Sequence, residues 1–127
     1  MEFSEYQGKA LRTASGLNQM QKIYNGVLGL NGESGECADL LKKHLFQGHP
    51  LDITKLIEEI GDVMWYCSLL ADGLNVDLDW IALMNIEKLN KRYPEGFDPE
   101  KSMNREETVD RTNEFSKFLL KKEKGEQ

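Results

Sequence analysis

The chain has 127 residues, 39% of them apolar, which suits the core of one domain and is too short for two ordinary cores. Sixteen lysines and arginines against twenty-two aspartates and glutamates leave a net charge of −6. That disfavours a nucleic-acid polymer as partner, because such binding needs clustered cations, but it admits a phosphate-bearing ligand that arrives with a divalent cation. No apolar run approaches the length needed to cross a membrane, and the opening Met1-Glu-Phe-Ser-Glu5 lacks the basic-then-apolar form of a secretion signal. Two cysteines, Cys37 and Cys67, are too few for a disulfide scaffold. The expectation is a cytoplasmic, single-domain protein with free, buried thiols.

In chain order the pattern is helical throughout, with no alternating β-branched stretch bounded by turns. A short amphipathic helix is predicted from Phe3 to Ala14. A second runs from Asn18 to Phe46 and stops at Gly48, with Pro50 beyond it. A third opens on the cap Asp52 and reaches Leu74; a fourth runs from Asp77 to Tyr93, just before Pro94. Residues 95–100 read as a loop. Val109, Thr112, Phe115, Phe118 and Leu119 then recur at helical spacing, which predicts a C-terminal tail helix over 102–127 after a domain of residues 1–101. Gly26, Gly29, Gly32 and Gly35 recur every third residue of the second helix, at about 1 kcal/mol each in helix propensity. They either admit the close approach of another group or weaken the helix locally.

Two acidic doublets carry the chemistry: Glu33-Ser-Gly-Glu36 and Glu59-Ile-Gly-Asp62. At about 100° per residue, Glu33 falls inside the apolar stripe of Leu30, Cys37, Leu40 and Leu41, with Glu36 at its edge. On the third helix Leu56, Ile60, Val63, Met64, Cys67, Leu70 and Leu74 form the stripe, and Glu59 and Asp62 border it with Tyr66 between them. Trp65 and Leu69 fall on the side away from that stripe, which predicts docking onto a second copy. Converging carboxylates facing a core are costly unless compensated. Lys42, Lys43 and Lys55 lie only at the flanks, so the expected compensation is a hard cation, Mg²⁺ or Mn²⁺. A ferritin-like di-iron bundle would need Glu-x-x-His, and neither doublet carries histidine. His44 and His49 lack partner histidines at helical spacing and are expected at the surface.

At these residues the chain resembles the MazG-like nucleoside triphosphate pyrophosphohydrolases, the all-α NTP pyrophosphatase superfamily. The matching blocks are Gly29-Leu-Asn-Gly-Glu-Ser-Gly-Glu-Cys-Ala-Asp-Leu-Leu-Lys-Lys43, Glu58-Glu-Ile-Gly-Asp-Val-Met-Trp-Tyr66 and Asn85-Ile-Glu-Lys-Leu-Asn-Lys-Arg-Tyr-Pro94. Full-length members open the first doublet with a Glu-Glu pair; Gly32 precedes Glu33 here, as in short single-domain members. The resemblance implies an all-α, four-helix-type bundle assembled as a dimer or dimer of dimers. It implies Mg²⁺-dependent cleavage of a nucleoside triphosphate to the monophosphate and pyrophosphate. Glu33, Glu36, Glu59 and Asp62 are then catalytic metal ligands, with Glu36 or Glu58 available to orient water. Tyr66, Asn85, Lys88 and Arg92 are implied to bind substrate, Asn85 at base or sugar and Lys88 at phosphate. The competing readings are a non-catalytic, metal-binding helical adaptor and a phosphoribosyl-ATP pyrophosphohydrolase.

Overall fold

The computed structural model describes residues 1–104 together with Lys117, Lys121 and Gly125. Five helices follow in order: α1 (Phe3–Leu11), α2 (Gln19–Gln47), α3 (Ile53–Gly73), α4 (Leu78–Arg92) and α5 (Pro99–Met103), with no strand among the described residues. Val109, Thr112, Phe115, Phe118 and Leu119 of the expected tail helix lie outside the described residues.

Local side-chain chemistry sets the helix ends. Asn18 and Gln21 form a reciprocal capping box at the start of α2, each side chain accepting from the other's amide at 2.9 Å. Gly48 closes α2 in the left-handed conformation at φ 72°. Asp52 accepts from the Lys55 amide at 2.9 Å to open α3, and Asp77 accepts from the Trp80 amide at 2.8 Å to open α4. Two expectations need correction. The first helix stops at Leu11 rather than Ala14, and the expected loop over 95–100 gives way to α5 from Pro99. Asp98 caps α5 by accepting from Glu100 and Lys101, and Pro99 occupies its first turn, where a missing amide costs nothing.

The chain divides into two compact units, Met1–Glu87 and Lys88–Gln127. In the first, α2 and α3 form an antiparallel hairpin, and two of the four spaced glycines explain its closeness. A Cβ on Gly26 would lie 2.7 Å from the Leu70 Cβ and 2.9 Å from its Cα and amide nitrogen. A Cβ on Gly29 would strike the Tyr66 ring, and Gly73 of α3 fits against Ile23 in the same way. Gly32 and Gly35 face open space. A Lys22–Asp72 ion pair at 2.6 Å clasps the hairpin near the start of α2.

On its other side α3 is covered by α1. The Trp65 indole donates to Thr13 Oγ1 at 2.9 Å and to the Ala10 carbonyl at 3.2 Å. Buried Gln7 donates to the Val76 carbonyl at 3.2 Å and accepts from the Leu78 amide at 2.8 Å, fixing α1 to the α3–α4 turn. This corrects the expectation for Leu69, which is fully buried within the chain, while Trp65 is half-buried against α1. Cys37 and Cys67, expected buried, are free thiols of intermediate exposure.

In the second unit the described residues comprise the end of α4, a turn through Gly96 at φ 99°, and α5. The Tyr93 and Phe97 rings there meet at 5.4 Å between centroids.

Candidate functional site

The α2–α3 hairpin brings carboxylates together where glycine packing ends. Glu33 stands one turn beyond Gly29 on α2, and Asp62 one turn before Tyr66 on α3. Carboxylate oxygens of Glu33, Glu59 and Asp62 all lie within 4.8 Å of one another. Glu59 is 4% exposed, Glu33 half-buried and Asp62 exposed, so the cluster runs from the helix interface outward to solvent.

Desolvation and neighbouring negative charge both act on Glu33. The Glu33 carboxyl is held above the usual glutamate range by desolvation first, then by the Asp62 charge and by a hydrogen bond to Glu59. One cation has entered the cluster. Lys55 Nζ sits 2.8 Å from Glu59 Oε1 and 3.7 Å from Glu58 Oε2, and this pairing raises the lysine above its ordinary value. Sequence reasoning placed Lys55 at the flank; the available signal was its i,i+4 spacing to Glu59. Lys42 and Lys43 both turn to Asp39, whose carboxyl they hold down at about 2.

Three of the four predicted ligands therefore converge. Glu36 is exposed and stands outside the cluster, close enough for its charge to add slightly to the shift of Glu33. A separation of three residues leaves it about 60° round α2 from Glu33. Tyr66 is half-buried, its ring packs against Gly29, and it meets the Trp65 ring in a T-shaped contact at 5.0 Å between centroids. Asn85 is exposed on α4 in the first unit, whereas Lys88 and Arg92 are half-buried residues of the second. Tyr6 of α1 was missed. Its phenol is pushed up by partial burial and then by the Asp62 and Cys67 charges, a proximity created by α1 packing on α3 that no local motif announces. His44 Nδ1 lies 2.9 Å from the His49 carbonyl, in the turn after α2.

Oxygen-only donors at this spacing suit a hard divalent cation and lack the imidazole or thiolate that softer metals favour. Among the described residues no helix is long and apolar enough to cross a membrane.

Comparison with known proteins agrees with this chemistry. The model of the MazG nucleotide pyrophosphohydrolase domain matches residues 21–97, which takes in all but the first two residues of α2 and the whole of α3 and α4. The chain is also 40% identical over 75 residues to the "Gene 37 protein" of Mycobacterium phage L5, a match covering 55% of this chain and 65% of the phage protein. No solved structure matches. With the family model spanning both acidic doublets and the Asn-x-x-Lys segment, the chain belongs to the MazG nucleotide pyrophosphohydrolase domain family.

Proposed function

We propose that the chain hydrolyses nucleoside triphosphates, dNTPs or modified NTPs foremost, to the monophosphate and pyrophosphate with Mg²⁺ or Mn²⁺. The observation that carries this reading is the meeting of Glu33, Glu59 and Asp62 within 4.8 Å in a chain of this family. Those three would hold the cation, and exposed Glu36 would complete the ligand set or orient the attacking water. Bound there, the cation would neutralise phosphate charge and activate water.

The remaining roles fall to the chain's own side chains. Tyr66, packed against Gly29 one turn from Asp62, would flank a base or donate to a phosphate. Asn85 would bind base or sugar, Lys88 phosphate, and Arg92 would assist it.

The working unit is a homodimer or homotetramer. Large exposed apolar side chains recur along α2 at Met20, Tyr24 and Val27, and along α3 at Ile53, Ile57, Ile60 and Met64. Steps of four and three residues are those of a helix-packing seam. Among the described residues the buried apolar side chains are only Leu69, Ala71 and Val76, and the exposed apolar rows of α2 and α3 offer a second copy a face to cover.

The test is pyrophosphate release from a panel of NTPs, dNTPs and modified nucleotides, with Mg²⁺ and with EDTA. Release that depends on the cation and disappears in Asp62→Asn supports the enzyme; no release from any nucleotide favours the adaptor. A strictly monomeric mass in solution would overturn the assembly.

A further inference from the structure

We propose that Lys55 is a resident competitor for the divalent cation, one that holds Glu59 in the metal-free protein and withdraws toward Glu58 when metal arrives. The inference rests on the metal-site reading above and adds to it a control on loading.

The geometry sets the competition. Glu59 is almost wholly buried, and a buried carboxylate without a counter-charge is strongly unfavourable. The Lys55 ammonium meets that need through an i,i+4 contact of 2.8 Å to Oε1. The same carboxylate belongs to the three-acid cluster, so a divalent cation and the ammonium seek one anion, and like charges at such range repel. A retreat is already in place. Glu58 Oε2 lies 3.7 Å from the same ammonium, on a side chain 61% exposed, while Lys55 itself is 50% exposed. Lys55 can therefore exchange a buried partner for a solvated one by turning its side chain, with α3 unmoved. Lys42 and Lys43 share Asp39 instead, so neither duplicates the role. Lys55 is thus a positioning residue that acts through Glu59.

The experiment is Mn²⁺ titration of the full chain by calorimetry at fixed pH, without nucleotide, alongside thermal melts with and without Mn²⁺. Lys55→Gln should tighten Mn²⁺ binding about tenfold. It should also lower the metal-free melting temperature and enlarge the rise that Mn²⁺ gives. Lys55→Arg, which keeps the cation and grips a carboxylate more firmly, should bind Mn²⁺ more weakly than wild type. Lys42→Gln, which removes the same charge away from Glu59, should tighten binding less than about threefold. A purely structural lysine would lower stability without tightening metal binding, and that result, or unchanged affinity in Lys55→Gln, overturns the proposal. If Lys55→Gln does not fold, wild-type affinity in Lys42→Gln with weakened affinity in Lys55→Arg, whose fork grips a carboxylate more firmly, supports it, and any other pairing overturns it. Absence of Mn²⁺ binding by the wild type overturns the metal-site reading itself and this inference with it.

Discussion

Replacing Gly26 by alanine adds one methyl where α2 and α3 come closest. That methyl would lie 2.7 Å from the Leu70 Cβ and 2.9 Å from its Cα and amide nitrogen, against at least 3.4 Å for ordinary contact. The obstacle is backbone and Cβ, which no rotamer can move aside, so the helices must separate by roughly 0.7 Å or more. Alanine improves helix propensity by about 1 kcal/mol, and overpacking of this kind costs about 1–3 kcal/mol. At Gly32 and Gly35 a Cβ meets nothing, so alanine there brings the propensity gain alone. Gly26→Ala should therefore be less stable than Gly32→Ala by about 1–3 kcal/mol. With a urea slope of about 1–3 kcal/mol per molar, the unfolding midpoints should differ by about 1 M at fixed protein concentration. Glu33 stands two turns from Gly26 on the same side of α2, so the wedge should also spread the carboxylates and weaken Mn²⁺ binding in calorimetry. Equal midpoints for Gly26→Ala and Gly32→Ala would refute this close approach, and with it the argument for how the acids are held.

Glu33→Gln removes a carboxyl that is desolvated and repelled by Asp62 and Glu59, so the metal-free protein should melt higher while Mn²⁺ affinity falls at least tenfold; a lower metal-free melting temperature would contradict it. Because the folded Glu33 carboxyl lies above its usual range, its repulsion grows as pH rises from that range through the raised value and is relieved as pH falls. The stability gap between Glu33→Gln and wild type should accordingly widen with rising pH in urea titrations, and a gap independent of pH would refute the assignment. Gln7→Leu leaves the Val76 carbonyl and Leu78 amide without their buried partner, which should cost about 1–3 kcal/mol in urea unfolding. Trp65→Phe removes the bonds to Thr13 and Ala10, and hydrogen exchange should quicken in α1 ahead of α2; uniform protection across both would argue that α1 is held elsewhere.

Helix boundaries were legible because caps act locally: Asn18, Gly48 and Asp52 each stop or start a helix through their own side chain or backbone freedom. Asp98-Pro99 carried the same kind of signal for α5, masked by the short helix that follows. Leu69 was not legible. A single apolar stripe assumes one buried face, whereas α3 is packed by α2 on one side and α1 on the other. The inward turn of Glu33 and Glu59 could be read from angular position. The outward turn of Glu36 followed from the same 100° step, yet the doublet spacing invited treating its two members alike. Lys55 stood at a visible helical spacing from Glu59, but nothing local indicated that Glu59 would be buried enough to need it.

The charge balance of the cluster ties the hairpin to its chemistry. Among the described residues Lys55 compensates one carboxylate, that of Glu59, and leaves Glu33 and Asp62 facing it and each other. The Glu33 carboxyl, raised first by desolvation, is raised further by the charges of Asp62, Glu59 and Glu36. Packing alone gives no reason for the surplus, because a glutamine at 33 or an asparagine at 62 would fill similar volume without repulsion. A hairpin drawn close by Gly26, Gly29 and Gly73 concentrates negative charge instead of dispersing it, and does so at the segment shared with the pyrophosphohydrolase family. Stability given up at a site is characteristic of a group held ready for a ligand, and a divalent cation, as proposed above, would balance two such carboxylates.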